Sequence, residues 1–75
     1  MNNYQIDLTA HYRPEVLERI LRVIRHRGFH ITTLTMEQEN QKVQLKIFME
    51  SHRTLDFLVG QLTKLPDVIQ ITPHA

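Results

Sequence analysis

Between residues 4 and 27 the apolar residues change period once, and the change falls at a proline. Tyr4, Ile6, Leu8 and Ala10 alternate with Gln5, Asp7 and Thr9. A period of two is a strand with one buried face. The stretch "HYRP" interrupts it. Pro14 suits the first turn of a helix, where its missing N–H costs nothing, and Glu15 suits the positive end of the helix dipole. From 15 to 27 the period becomes helical. Val16, Leu17, Ile20, Leu21, Val23 and Ile24 fill one arc of about 160°, and Glu15, Glu18, Arg19, Arg22, Arg25 and His26 fill the opposite one. Glu15–Arg19 and Glu18–Arg22 are i,i+4 pairs in the favourable order, each worth ~0.2–0.5 kcal/mol. Gly28 is expected to close the helix as a left-handed residue.

The rest of the chain repeats this alternation. Residues 29–38 read as a second strand, with Phe29, Ile31, Leu34 and Met36 apolar. Its parity slips between Ile31 and Leu34, which predicts a bulge near Thr32–Thr33. "ENQK" is a polar turn. Residues 43–50 form a third strand, with Val43, Leu45, Ile47 and Met49 on the core side and Phe48 as the one apolar residue on the other. A second helix is predicted over 52–65, with Ser51 as its N-cap and Pro66 as its stop. "DVIQITP" is the last strand, ended by Pro73. The order β-α-β-β-α-β, with right-handed crossovers, gives an α+β ferredoxin-like domain. It has one four-stranded antiparallel sheet with two helices on one face, and it is a single domain over 1–75. The other face, carrying Gln5, Asp7, Thr9, Gln44, Lys46 and Phe48, must meet water or a partner.

Composition excludes several functions. The chain of 75 residues has no Cys, so neither disulfides nor thiolate-held metal can staple it. A domain this small is marginally stable alone, which favours docking onto a partner or itself. A net charge of +1 provides no global drive toward nucleic acid or anionic membrane. "MNNYQIDL" is not a signal peptide and no run is long enough to span a bilayer, which fits a cytoplasmic location.

Local chemistry is sparse. Arg19, Arg22, Arg25, His26 and Arg27 could bind phosphate, but two Glu share their face, and cations suit a helix C-terminus in any case. An RNA-binding sheet of this topology would carry aromatics on its open face, and only Phe48 qualifies. His11, His26, His30, His52 and His74 read as surface residues, since His26 and His30 flank the helix-ending Gly28 and no metal motif is present. Asp7, Glu37, Glu39, Glu50, Asp56 and Asp67 are scattered, and no nucleophile–base pair or Gly-rich phosphate loop is visible. No catalytic or metal-binding residue is expected. The chain reads as a binding or regulatory module.

The residues Leu17-x-Arg19 and Arg27-Gly28-Phe29-His30-Ile31-x-x-Leu34-Thr35, within "PEVLERILRVIRHRGFHITTLTM", resemble the ACT domain of the small regulatory subunits of acetolactate (acetohydroxyacid) synthase, the short isozyme II type in particular. The resemblance runs from Tyr4 to Ile71, with Gly28, Ile31 and Leu34 as its structural positions. It implies a non-catalytic subunit without cofactors of its own. Its partner would be a large catalytic subunit holding thiamine diphosphate, FAD and Mg²⁺, in branched-chain amino acid synthesis. It also implies pairing of two ACT domains. Valine-responsive relatives carry Asn-x-x-Gly between the first strand and first helix. Here those positions fall on Tyr12 and Glu15, within His11-Tyr12-Arg13-Pro14-Glu15. Tyr12 fills space, Pro14 removes a donor and Glu15 repels a carboxylate. The expected outcome is a vestigial effector site and valine-insensitive activation. Arg19, Arg22 and Arg25, or Lys46 and Phe48, are the candidate docking residues. A free-standing amino-acid-binding ACT module is the alternative.

Overall fold

In the computed structural model, which describes residues 1–74, the elements are β1 (Asn2–His11), α1 (Pro14–His26), β2 (His30–Glu39), β3 (Lys42–Ser51), α2 (Leu55–Leu62) and β4 (Val68–His74). The sheet order is β2-β3-β1-β4, and all three neighbouring pairs are antiparallel. β1 and β3 are therefore central. Ile6, Leu8 and Ala10 of β1 and Val43, Leu45, Ile47 and Met49 of β3 are buried on one face. They form one cluster with Val16, Ile20 and Ile24 of α1 and Leu58 and Leu62 of α2. Each Val, Leu, Ile or Met side chain so buried contributes ~1.5–3 kcal/mol.

α1 ends as its sequence predicts. Gly28 has φ +88°. Its N–H donates to the Arg25 carbonyl at 3.1 Å, and the Phe29 N–H donates to the Ile24 carbonyl at 3.2 Å. This double bond, with Phe29 and Ile24 both buried, is a Schellman cap with its hydrophobic contact. Phe29 serves that cap, so β2 begins one residue later, at His30. The bulge lies between Ile31 and Thr33. Glu18 and Arg22 pair at 2.8 Å. Among the described residues Glu15 and Arg19 form no ion pair.

Three expectations are overturned. Ser51 does not cap α2. It is the last residue of β3 and is buried, its hydroxyl donating to the Gly28 carbonyl at 2.7 Å and accepting the Arg53 N–H at 3.0 Å. Turning the chain away from β3 consumes residues 52–54, and the N-cap position is Thr54, whose side chain makes no capping bond. α2 is consequently eight residues long and ends at Leu62, four before Pro66. Its last turn closes through the Thr63 N–H to the Val59 carbonyl and the Thr63 hydroxyl to the Gly60 carbonyl. Finally, Pro73 does not end β4. It lies opposite Ile6 within the strand, and β4 is an outer strand, where a proline need not remove a ladder bond.

The two glycines predict opposite responses. A Cβ at Gly28 would meet the Arg53 Nε at 3.3 Å on a left-handed backbone, whereas one at Gly60 would meet nothing within 4 Å. Gly28→Ala should lower the unfolding free energy by about 1–2 kcal/mol, and Gly60→Ala should raise it by about 0.5–1 kcal/mol. Urea titrations read both, and equal effects would contradict this account of the α1 cap.

Candidate functional site

The corner where β1 turns into α1 is held by the backbone of two other loops. The His11 N–H donates to the Asp67 carbonyl at 2.9 Å, ahead of β4, and the Tyr12 N–H donates to the Gln41 carbonyl at 2.8 Å, in the β2–β3 turn. That turn is tight because Asn40 accepts φ +59°, a conformation Asn tolerates better than most residues. Arg13 Nη2 reaches Asp67 Oδ1 at 3.2 Å, a partly exposed pair worth ~0.2–1 kcal/mol. Tyr12 is half-buried and packs against the core. Pro14 takes the first helical position, and Glu15 is exposed in the first turn.

Both N–H groups leaving β1 are therefore occupied by the chain itself. Two backbone donors there have carbonyl partners, and Glu15 sets a negative charge at the helix start. The sequence pointed to His11–Glu15. It did not point to Asp67 or Gln41, which lie far away along the chain and carry no local motif.

The candidate docking residues fall on two opposite sides. Arg19, Arg22 and Arg25 are exposed on α1, with Arg22 paired to Glu18. Lys46 and Phe48 lie on the open sheet face, Lys46 exposed and Phe48 half-buried. The structural positions Ile31 and Leu34 are half-buried on β2 beside the core.

The open face holds one polar contact of note. His74 Nε2 lies 2.8 Å from Asp7 Oδ2, tying β4 to β1. This hydrogen bond, helped by the His74 charge, Gln5 and Lys46, holds the Asp7 carboxyl below its ordinary 3.8, while desolvation acts in the opposite direction. A shallow groove runs beside it between Glu37, Lys46 and Thr72. It is open to water. Among the described residues no three His, Asp or Glu side chains gather as a metal site would require, and no helix is long and apolar enough to cross a membrane.

A four-stranded antiparallel sheet with two helices on one face, in the order βαββαβ, defines an α+β ferredoxin-like domain. A family model for the ACT domain matches residues 12–71, and the chain belongs to that family. The small subunit of acetolactate synthase isozyme 2 from Escherichia coli K12 is 40% identical over 73 residues, spanning 95% of this chain and 84% of that protein. Among solved structures, the ACT domain of a GTP pyrophosphokinase from Chlorobium tepidum superposes with a TM-score of 0.83 at 16% identity, covering 96% of both chains. An acetolactate synthase small subunit from Thermotoga maritima superposes with the same score, 0.83, at 22% identity, covering 97% of this chain and 47% of that one. These two likenesses define the fold.

The Asp7–His74 contact carries a pH dependence. A depressed folded pKa stabilises at neutral pH, and that contribution is lost as pH falls through the folded value. Asp7→Asn should therefore lose less stability than the parent between about pH 5 and about pH 3. Urea midpoints across that range measure it, and identical losses would remove the contact from the acid response.

Proposed function

We propose that this chain is the non-catalytic small subunit of an acetolactate synthase of the isozyme 2 type, and that its activation of the enzyme does not respond to valine. The observation that carries the assignment is the similarity to the E. coli small subunit along nearly the whole chain. In this reading the thiamine diphosphate, FAD and Mg²⁺ reside on the large catalytic subunit. This chain contributes shape and charge to a cytoplasmic complex of branched-chain amino acid synthesis.

Insensitivity to valine is supported by the β1–α1 corner. An amino-acid effector needs free donors for its carboxylate and room for its side chain. Here the His11 and Tyr12 N–H groups already bond Asp67 and Gln41, Tyr12 fills the corner, and Glu15 would repel the carboxylate.

Pairing of two copies is proposed along β2. Both outer strands offer unpaired backbone groups and both carry a bulge, but β4 also carries Pro73, which blunts an edge. β2 runs ten residues without a proline, and Met36 is 46% exposed on its core side. The α1 arginines Arg19, Arg22 and Arg25 and the Lys46–Phe48 patch remain the docking surfaces this reading offers to the large subunit.

Reconstitution tests the function. The chain added to the matching large subunit with thiamine diphosphate, FAD and Mg²⁺ should raise acetolactate formation several-fold, and millimolar valine should leave the rise intact. A rise that valine reverses would contradict the account of the corner. No rise, from a folded chain and an active large subunit, would contradict the assignment.

A further inference from the structure

We propose that Arg27 and Arg53, seated on Gln61 and Phe57 one turn apart along α2, form the point at which this chain docks a carboxylate-bearing surface of the large catalytic subunit. The proposal rests on the function proposed above.

The geometry comes from three segments. Arg27 is the C-cap of α1, and its Nε and Nη2 donate to Gln61 Oε1 at 3.3 and 3.2 Å. Arg53, in the β3–α2 loop, places its guanidinium carbon 5.0 Å from the centre of the Phe57 ring. Phe57 and Gln61 are i,i+4 neighbours, so their Cβ atoms lie about 5–6 Å apart on one side of α2. Two guanidinium groups thus lie along one helix face, each on an adjacent support.

Both supports are neutral. The other arginines with polar side-chain partners, Arg13 and Arg22, are bonded to carboxylates. Arg27 is held by an amide oxygen and Arg53 by an aromatic face, and among the described residues neither forms an ion pair. Their position is fixed while their charge is left uncompensated. Asp56 and Glu50, the acids nearest in sequence, are likewise absent from the ion pairs of the described residues. Positioned, unneutralised guanidiniums lose little entropy on binding and can take carboxylates through paired hydrogen bonds.

The backbone beneath is rigid. The Arg53 carbonyl accepts the Tyr4 hydroxyl at 2.8 Å, its N–H bonds the Ser51 hydroxyl, and Ser51 bonds Gly28. The Arg53 side chain crosses Gly28 within 3.4 Å of where a Cβ would stand. Gly28 therefore ends α1 and also leaves Arg53 a path to Phe57. Phe57 is 37% exposed. Arginine beside an exposed aromatic is the residue pairing enriched at protein interfaces. A phosphate site would instead need several converging backbone N–H donors, and the one helix start nearby, at Thr54, carries no such loop.

The test measures affinity of the purified large subunit for the parent chain and for Arg53→Glu, Phe57→Ala and Arg53→Lys, each checked by circular dichroism and sedimentation. Arg53→Glu should weaken binding at least about tenfold. Phe57→Ala should weaken it several-fold, Arg53→Lys, which keeps the charge but loses the paired hydrogen bonds, should fall between the parent and Arg53→Glu, and added salt should weaken the parent more than Arg53→Glu. A parent that binds while Arg53→Glu binds equally well overturns the proposal. So does a loss confined to an Arg22→Glu, Arg25→Glu double variant, or an Arg53→Glu effect on self-association alone. A folded parent that does not bind at all overturns the function on which the proposal rests.

Discussion

The inner face of the β1–β3 pair is buried from Ile6 to Ala10 and from Val43 to Met49, and the other elements are arranged to keep it so. Ile6, Ala10 and Ile47 from the sheet and Ile20 and Ile24 from α1 are completely buried. A small domain without disulfides depends on such burial for nearly all its stability. α1 covers this face only if its stripe is oriented correctly, and moving the helix end by one residue would rotate the stripe by about 100°. The left-handed Gly28 fixes that end, buries Phe29 against Ile24 and delivers the chain into β2 in register.

Each end of the sheet carries a different consequence. At one end, the β1–α1 corner, the β2–β3 turn and the loop before β4 bond one another through His11, Tyr12, Arg13 and Asp67. In the proposed reading, these bonds occupy backbone donors that an effector carboxylate would need. At the other end, Gly28, Ser51 and Arg53 form a hydrogen-bonded corner that supports two arginines on uncharged partners. The first end is tied together by backbone hydrogen bonds, and the second presents charge.

Features with a local physical cause were legible in the sequence. The period of two in β1 and β3, the arc of α1, the glycine at its end and the parity slip at Thr32–Thr33 each leave a pattern within a few residues. Ser51 misled because a serine ahead of an apolar run has the same appearance whether it caps a helix or ends a strand. Pro73 misled because whether a strand tolerates proline depends on its place in the sheet, and that place is set by residues far away. The contacts Arg13–Asp67, Arg27–Gln61 and Tyr12–Gln41 join distant segments, so no spacing announces them. The Arg53–Phe57 spacing of four was visible, yet only the course of the loop across Gly28 shows the two groups touching.

The family, the fold and the nearly full-length similarity to an isozyme 2 small subunit set the frame. The proposed valine insensitivity rests on the β1–α1 corner, where the resemblance aligns Tyr12 and Glu15 with the Asn and Gly of valine-responsive relatives. The most direct measurement is a valine titration of the labelled chain followed by amide ¹H–¹⁵N spectra, with the signals of residues 11–15, 41 and 67 assigned. The account predicts that these signals do not move up to millimolar valine. Saturable shifts confined to them would show that the corner opens to an amino acid and would contradict it.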